Sequence, residues 1–307
     1  MSPPSAAHSR LRTPHRWRRA RALAALLAVA LLSASCEIDD TVSPTDEPVV
    51  GTTTVYELLR WQSDLDKAFN IVFVPDASYG DLSVLANRRT FVSDIADVVE
   101  NSYWQNQGYF NGQVRFNYFY MTESGSVTES PPHPLTGEFQ CPAVTWPPEA
   151  TTDAAFADQL LLIHQNELRD CGGGGRASAE PTSFRTVVHE TGHALFTLPD
   201  EYDDDGAGYW VAPPVLYATK KDCTRDPANA AWRNCTALGP DGDGNTWWRS
   251  QGHITTNLIM RNIGAEVWES GPADWSIMAD AYQSLGSSIG PPSVFAPDRW
   301  SYTVPSP

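Results

Sequence analysis

The chain has 307 residues, 41% of them hydrophobic, which is enough to bury a sizeable core and too apolar for wholesale disorder. Its formal net charge is −16 at pH 7, although the first 35 residues contribute six arginines and no acid. A surface that acidic repels polyanions, which excludes nucleic acid as a partner and an anionic membrane as a direct docking surface.

The N-terminus reads as an export signal. Arg10, Arg12, Arg16, Arg18, Arg19 and Arg21 form a basic region, and residues 22–32 are an unbroken apolar run. That run is too short to cross a bilayer comfortably and suits the apolar part of a signal peptide. Ser33, Ala34 and Ser35 then lead to Cys36, the place of the lipid-modified cysteine in a bacterial lipoprotein. The expected organisation is a lipoprotein-type signal peptide over 1–35, a flexible tether over 36–54, a folded domain over 55–289 and a Pro-rich tail over 290–307. An ordinary cleaved signal with an incidental Cys36 is the alternative, and both readings export the protein to the cell envelope or beyond. No other segment is apolar and long enough to span a membrane, so membrane contact is expected only through a lipid on Cys36, and the domain is expected to be a monomer.

The folded part opens with residues 70–75, which read as a buried strand. Leu85, Phe91, Ile95, Val98 and Val99 have helical spacing over 85–104. Residues 114–121 alternate and are rich in aromatic and β-branched side chains, which predicts a strand, and 160–164 predict another. Residues 172–175, all glycine, predict a loose loop, and Pro181 leads into a helix. This order predicts a mixed α/β (α+β) domain in two lobes, with that helix packed on the sheet. After Asp200 the chain is loop-rich, with many Trp, Gly and Pro. Four cysteines follow Cys36: Cys141, Cys171, Cys223 and Cys235. An even number in an exported chain predicts two disulfides, and proximity favours Cys141–Cys171 and Cys223–Cys235 among the three pairings. None lies in a C-x-x-C, so a cysteine zinc cluster is not expected.

The predicted helix carries His189-Glu190-Thr191-Gly192-His193. Histidines four apart share one face of a helix, so two imidazole nitrogens can reach one Zn²⁺. Glu190 sits at the rim of that face, where it can take a proton from water without being a ligand. A third ligand is needed. Asp200, just past Leu198-Pro199, can return beneath the metal if the chain reverses after Thr197; Glu201 and His253 are alternatives. Asp241-Gly242-Asp243-Gly244-Asn245 resembles the start of a Ca²⁺ loop, but Thr246 stands where that loop needs Gly and Gly252 where it needs Glu, so a structural Ca²⁺ is the weaker reading against an acidic turn. Asp203, Asp204 and Asp205 read as a solvated loop, and Trp210, Trp247, Trp248 and Trp268 as core or cleft lining.

Residues 189–202, HETGHALFTLPDEY, resemble the H-E-x-x-H-x-x-x-x-L-x-D-E-Y signature of the bacterial IgA metallopeptidase family, which is metzincin-like. Less specific similarity covers NIVFVPDASY at 70–79, RFNYFYM at 115–121 and NLIMR at 257–261. The resemblance implies a zinc endopeptidase with His189, His193 and Asp200 as metal ligands, Glu190 as catalytic base and Met260 as the methionine of a Met-turn beneath the metal. Where metzincins turn the chain on Gly after the second His, this chain has Phe196-Thr197, so Thr197 or Leu198 must reverse it without glycine's freedom. The implied partner is a protein or peptide substrate. An exported zinc-containing binding lipoprotein without catalysis, and a zinc hydrolase of a non-peptide bond, are the rival readings.

Overall fold

The structure is a computed structural model that describes residues 48–49, 51–60, 62–103, 116–132, 134, 140–201, 211–227, 235–241, 244–250, 259–261 and 271–285. The expected signal peptide, Cys36, most of the tether and the tail 290–307 lie outside them. In chain order the elements are β1 (Val55–Leu59), β2 (Phe69–Pro75), α1 (Leu85–Val98), β3 (Phe116–Met121), β4 (Ser126–Thr128), β5 (Ala143–Thr145), α2 (Glu149–Thr152), β6 (Gln159–Ile163), β7 (Cys171–Gly173), β8 (Arg176–Ala179), α3 (Phe184–Phe196), β9 (Leu216–Tyr217), α4 (Lys220–Arg225), β10 (Thr236–Pro240), β11 (Thr246–Arg249) and α5 (Pro272–Ser284). The fold is mixed α/β.

Every residue of β2 is buried, which is what a strand in the middle of a sheet covered on both faces requires. The main sheet has the order β1-β3-β2-β6-β8-β7. β3, β2, β6 and β8 run parallel, while β1 and β7 close the two edges antiparallel to their neighbours. Side chains alternate across it. Phe69, Ile71 and Phe73 of β2 join Phe116, Tyr118 and Tyr120 of β3 in a core that also holds Phe91 and Ile95 of α1, Val187 and Val188 of α3, and Trp275 and Met278 of α5. Val72 and Val74 face the other way, with Phe119, Met121, Leu160 and Leu162. The helix predicted to carry the site thus packs on the sheet, through Val187, Val188, Ala194 and Phe196. The main sheet and the small β10-β11-β9 sheet fall in the same compact unit, as a single folded domain requires.

Several elements differ from the sequence reading, each for a local reason. The tether does not run free to Thr54. Asp153 accepts bonds from the backbone and hydroxyl of both Thr53 and Thr54, four donors on one carboxylate oxygen at 2.9–3.1 Å. The all-glycine run is not a loose loop. Gly174 and Gly175, at φ 58° and 77°, make the two-residue turn of a hairpin between β7 and β8, a conformation in which glycine meets no Cβ penalty. Past α1 the helix loosens into a π-helical turn at Val99–Tyr103. The loop-rich second half contains a thirteen-residue helix, α5, opened by Pro272 in its first turn. Both favoured disulfides are formed: Cys141–Cys171 ties the start of β7 to the segment before β5, and Cys223–Cys235 ties α4 to the approach of β10.

β7 lies tightly against α3. A Cβ built on Gly172 would stand 2.4 Å from the backbone oxygen of Glu190, whereas one on Gly173 would meet nothing within 4 Å. Gly172→Ala is therefore expected to push the edge strand off the helix and cost about 1–3 kcal/mol. Gly173→Ala should stay within about 0.5 kcal/mol of the parent. Thermal unfolding of the two variants side by side checks this.

Candidate metal centre

α3 presents two faces. Val187, Val188 and Ala194 face the core; His189, Glu190 and His193 are also buried but belong to the site. The helix is held in rotation by Thr191, whose Oγ1 accepts from Gln159 Nε2 of β6 at 3.2 Å and lies 2.9 Å from the Tyr103 hydroxyl. The helix stops one turn after His193. Thr197 adopts the left-handed conformation (φ 57°, ψ 33°), and its N–H donates to His193 O at 3.2 Å. The reversal expected of Thr197 or Leu198 thus falls on Thr197, two residues before Pro199 could have ended the helix.

That reversal brings three donor atoms together. His189 Nε2 and His193 Nε2 are 3.0 Å apart, and Asp200 Oδ1 is 3.1 Å from each. The imidazole rings meet edge-on, at 89° with centroids 4.6 Å apart. The tautomers follow from the other ring nitrogen. His189 Nδ1 lies 3.1 Å from Ile259 O and His193 Nδ1 2.6 Å from Leu198 O, and a carbonyl can only accept. Each Nδ1 therefore carries a proton, and each Nε2 faces the other and a carboxylate oxygen, offering a lone pair there whenever its ring is neutral, as it is when a metal is bound. Asp200 Oδ1 is buried against these two nitrogens, and either can donate to it only when protonated at Nε2. Two lone pairs and an anionic oxygen aimed at one point repel unless a positive charge stands among them. Tetrahedral donors around Zn²⁺, with bonds of about 2.0–2.1 Å, lie roughly 3.3 Å apart, close to the separations seen here. Nitrogen, nitrogen and carboxylate oxygen are also a donor set that Zn²⁺ accepts.

The electrostatics agree. Burial pushes the Asp200 carboxyl up, but the two histidines pull it well below the usual carboxylate range. Burial pushes His193 down, yet Asp200, Glu190 and the Leu198 carbonyl outweigh it and raise it to about 9. This cavity favours positive charge even without a metal. Glu190 is 6% exposed, and burial raises its pKa despite the opposing pull of His189 and His193.

Among the described residues, His189, His193 and Asp200 are the one group of three placed to hold a metal ion. Glu201 does not join them. It is fully buried, and its N–H donates to Met260 O at 2.9 Å. His164 is buried at the end of β6 beside Asp170, its Nε2 3.5 Å from Asp170 Oδ1, and stands outside the group. His253 and His133 lie outside the described residues, as do Tyr202, Asp203, Asp204, Asp205, Trp210 and Trp268. Met260 is fully buried next to Ile259, whose carbonyl orients His189. Asp241, expected to open an acidic turn or a Ca²⁺ loop, spends its carboxylate on Asn245 N at 2.7 Å and Trp247 Nε1 at 2.8 Å, the pattern of a turn; Gly242 and Asp243 lie outside the described residues.

No family model matches the chain, and no curated protein matches it. The chemistry of the centre is therefore carried by its own atoms. Two residues that shape it, Thr191 and Gly172, have no sequence signal of their own. Each acts through a neighbour far away in the chain, and only the glycine hints at a close approach.

A β-branched residue in the left-handed region is strained by roughly 1–2 kcal/mol. Thr197→Gly should relieve that strain, less what glycine adds to the unfolded chain's entropy, for a net gain of about 0.5–1 kcal/mol. The expected result is a melting temperature a few degrees higher with zinc affinity unchanged, read by calorimetry and by metal titration.

Proposed function

We propose that the protein is an exported zinc-dependent endopeptidase in which His189, His193 and Asp200 hold the metal and Glu190 is the general base. The observation that carries this is the meeting of two imidazole nitrogens and one carboxylate oxygen within 3.1 Å beside a buried carboxyl that is not one of them. A purely structural zinc has no use for that fourth group, and closed structural sites take a fourth ligand instead.

Zinc, when bound, supplies Lewis acidity that polarises a carbonyl and eases the ionisation of water. The chain's own residues do the rest. Glu190 takes a proton from the attacking water and returns it to the leaving amine, and its burial raises its pKa toward the range in which a carboxyl can do both. Asp200 balances the charge that a cation brings. The Ile259 and Leu198 carbonyls fix each imidazole so that Nε2, not Nδ1, faces the metal. Glu190 is itself located by the strand beside it, since β7 packs at Gly172 against its backbone oxygen. The metzincin-like family, the Met-turn role of Met260 and the lipid anchor at Cys36 belong to the same proposal; each rests on sequence resemblance.

The test is cleavage of an unfolded protein such as casein, with and without a zinc chelator, beside Glu190→Gln. The expected outcome is chelator-sensitive cleavage that Glu190→Gln lowers by about 10²-fold or more with zinc still bound. Cleavage that survives Glu190→Gln would contradict the role given to that residue. A folded, zinc-loaded protein that cleaves esters but no peptide would favour a hydrolase of another bond, and one that cleaves neither would favour the binding lipoprotein.

A further inference from the structure

Asp200 meets the two histidines because the chain is tied down on both sides of it. Upstream, the Leu198 N–H donates to Gly192 O at 3.0 Å and the Leu198 carbonyl accepts from His193 Nδ1. Downstream, both backbone groups of Glu201 are taken: its N–H donates to Met260 O at 2.9 Å, and its carbonyl accepts from Arg249 Nη1. Arg249 reaches this carbonyl from 48 residues further along the chain.

The arginine is only 8% exposed. Withdrawing a guanidinium from water is costly unless its donors find strong acceptors, so a buried arginine aimed at a backbone carbonyl is a specific placement rather than a solvated surface charge. Its base is rigid. Arg249 pairs with Leu216 in the β11–β9 ladder, and the next residue, Ser250, donates its N–H to Val215 O at 3.1 Å and its hydroxyl to Pro214 O at 2.6 Å. The donor is thus delivered from a paired strand, the kind of element that holds a site more accurately than a loop does.

We propose that Arg249 is a positioning residue for the third metal ligand. By holding the Glu201 carbonyl it fixes the peptide that follows Asp200, keeps Oδ1 in register with the two Nε2 atoms, and so sets how tightly the centre binds its metal. This rests on the reading of His189, His193 and Asp200 as a metal centre. Because Arg249 acts through the carboxylate, its effect on the metal should exist only while Asp200 is there.

A double-mutant cycle on the full-length protein tests that dependence. Zinc affinity is measured by competition with a chromophoric chelator for the parent, Arg249→Met, Asp200→Ala and the double variant. Arg249→Met is expected to weaken zinc binding by roughly 10–100-fold, the usual cost of losing a residue that orients a ligand. In the Asp200→Ala background the same change should alter affinity by no more than about 2-fold. Arg249→Lys keeps the charge without the planar fork and should fall between parent and Arg249→Met. The visible absorption of the cobalt-loaded Arg249→Met protein should shift toward that of Asp200→Ala. If Arg249→Met weakens binding equally with and without Asp200, the arginine only braces β11 and the proposal is overturned. If near-ultraviolet circular dichroism shows that Arg249→Met is unfolded, Arg249→Lys carries the same cycle. A parent that binds no zinc sinks the metal reading itself, whereas a parent that binds and an Arg249→Met that binds equally well sinks the positioning role alone.

Discussion

Two imidazole lone pairs and a carboxylate oxygen within 3.1 Å of one another are an arrangement that no chain adopts without support. Their mutual repulsion acts at short range in a partly dry cavity, where charges are weakly screened. A bound cation reverses its sign. Until one arrives, the scaffold and a proton on His193 have to hold the geometry, and the raised pKa of that histidine reflects this. Much of the described chain can be understood as what keeps the three atoms in place.

The support comes from four directions. The sheet holds α3 by its apolar face, and Thr191, bonded to Gln159 and near the Tyr103 hydroxyl, fixes the helix against rotation about its axis. The left-handed Thr197 ends the helix early enough for Leu198 to come back against His193. The 259–261 segment takes His189 with one carbonyl and Glu201 with the next. β11 contributes Arg249 from the small sheet. The bonds close a circuit that runs from His189 through Ile259 and Met260 to Glu201, and back through Asp200. Disturbing any one member is transmitted to the metal ligands through short, directional contacts rather than through the core at large.

How much of this the sequence discloses depends on the range over which each feature is encoded. The pairing of His189 with His193 is legible because helical periodicity is local, and the apolar residues of α3 and β2 declare the helix and strand that carry and support it. The two disulfides follow from spacing in the same way. A reversal after Thr197 favours Asp200 over Glu201 and His253 on position, but that choice depends on the φ of a single residue, Thr197, and a left-handed threonine is not what its propensity suggests. The glycine run of 172–175 misled for a related reason: composition alone does not distinguish a hairpin turn at positive φ from a slack loop, and the close approach of Gly172 to Glu190 is a tertiary fact. α5 is legible in principle, since Trp275, Met278, Ala279 and Tyr282 behind Pro272 have helical spacing, but the Trp, Gly and Pro content of the surrounding region hides it. Arg249 had no signal at all, since a buried arginine and an exposed one read alike.

X-ray absorption at the zinc edge, on protein equilibrated with zinc and freed of excess, addresses the centre most directly. The account predicts one zinc per chain with nitrogen and oxygen neighbours at about 2.0–2.1 Å and scattering from two imidazoles. His193→Ala should remove one imidazole from that shell. Protein that retains no zinc, or a shell of water oxygens without imidazole, would contradict it.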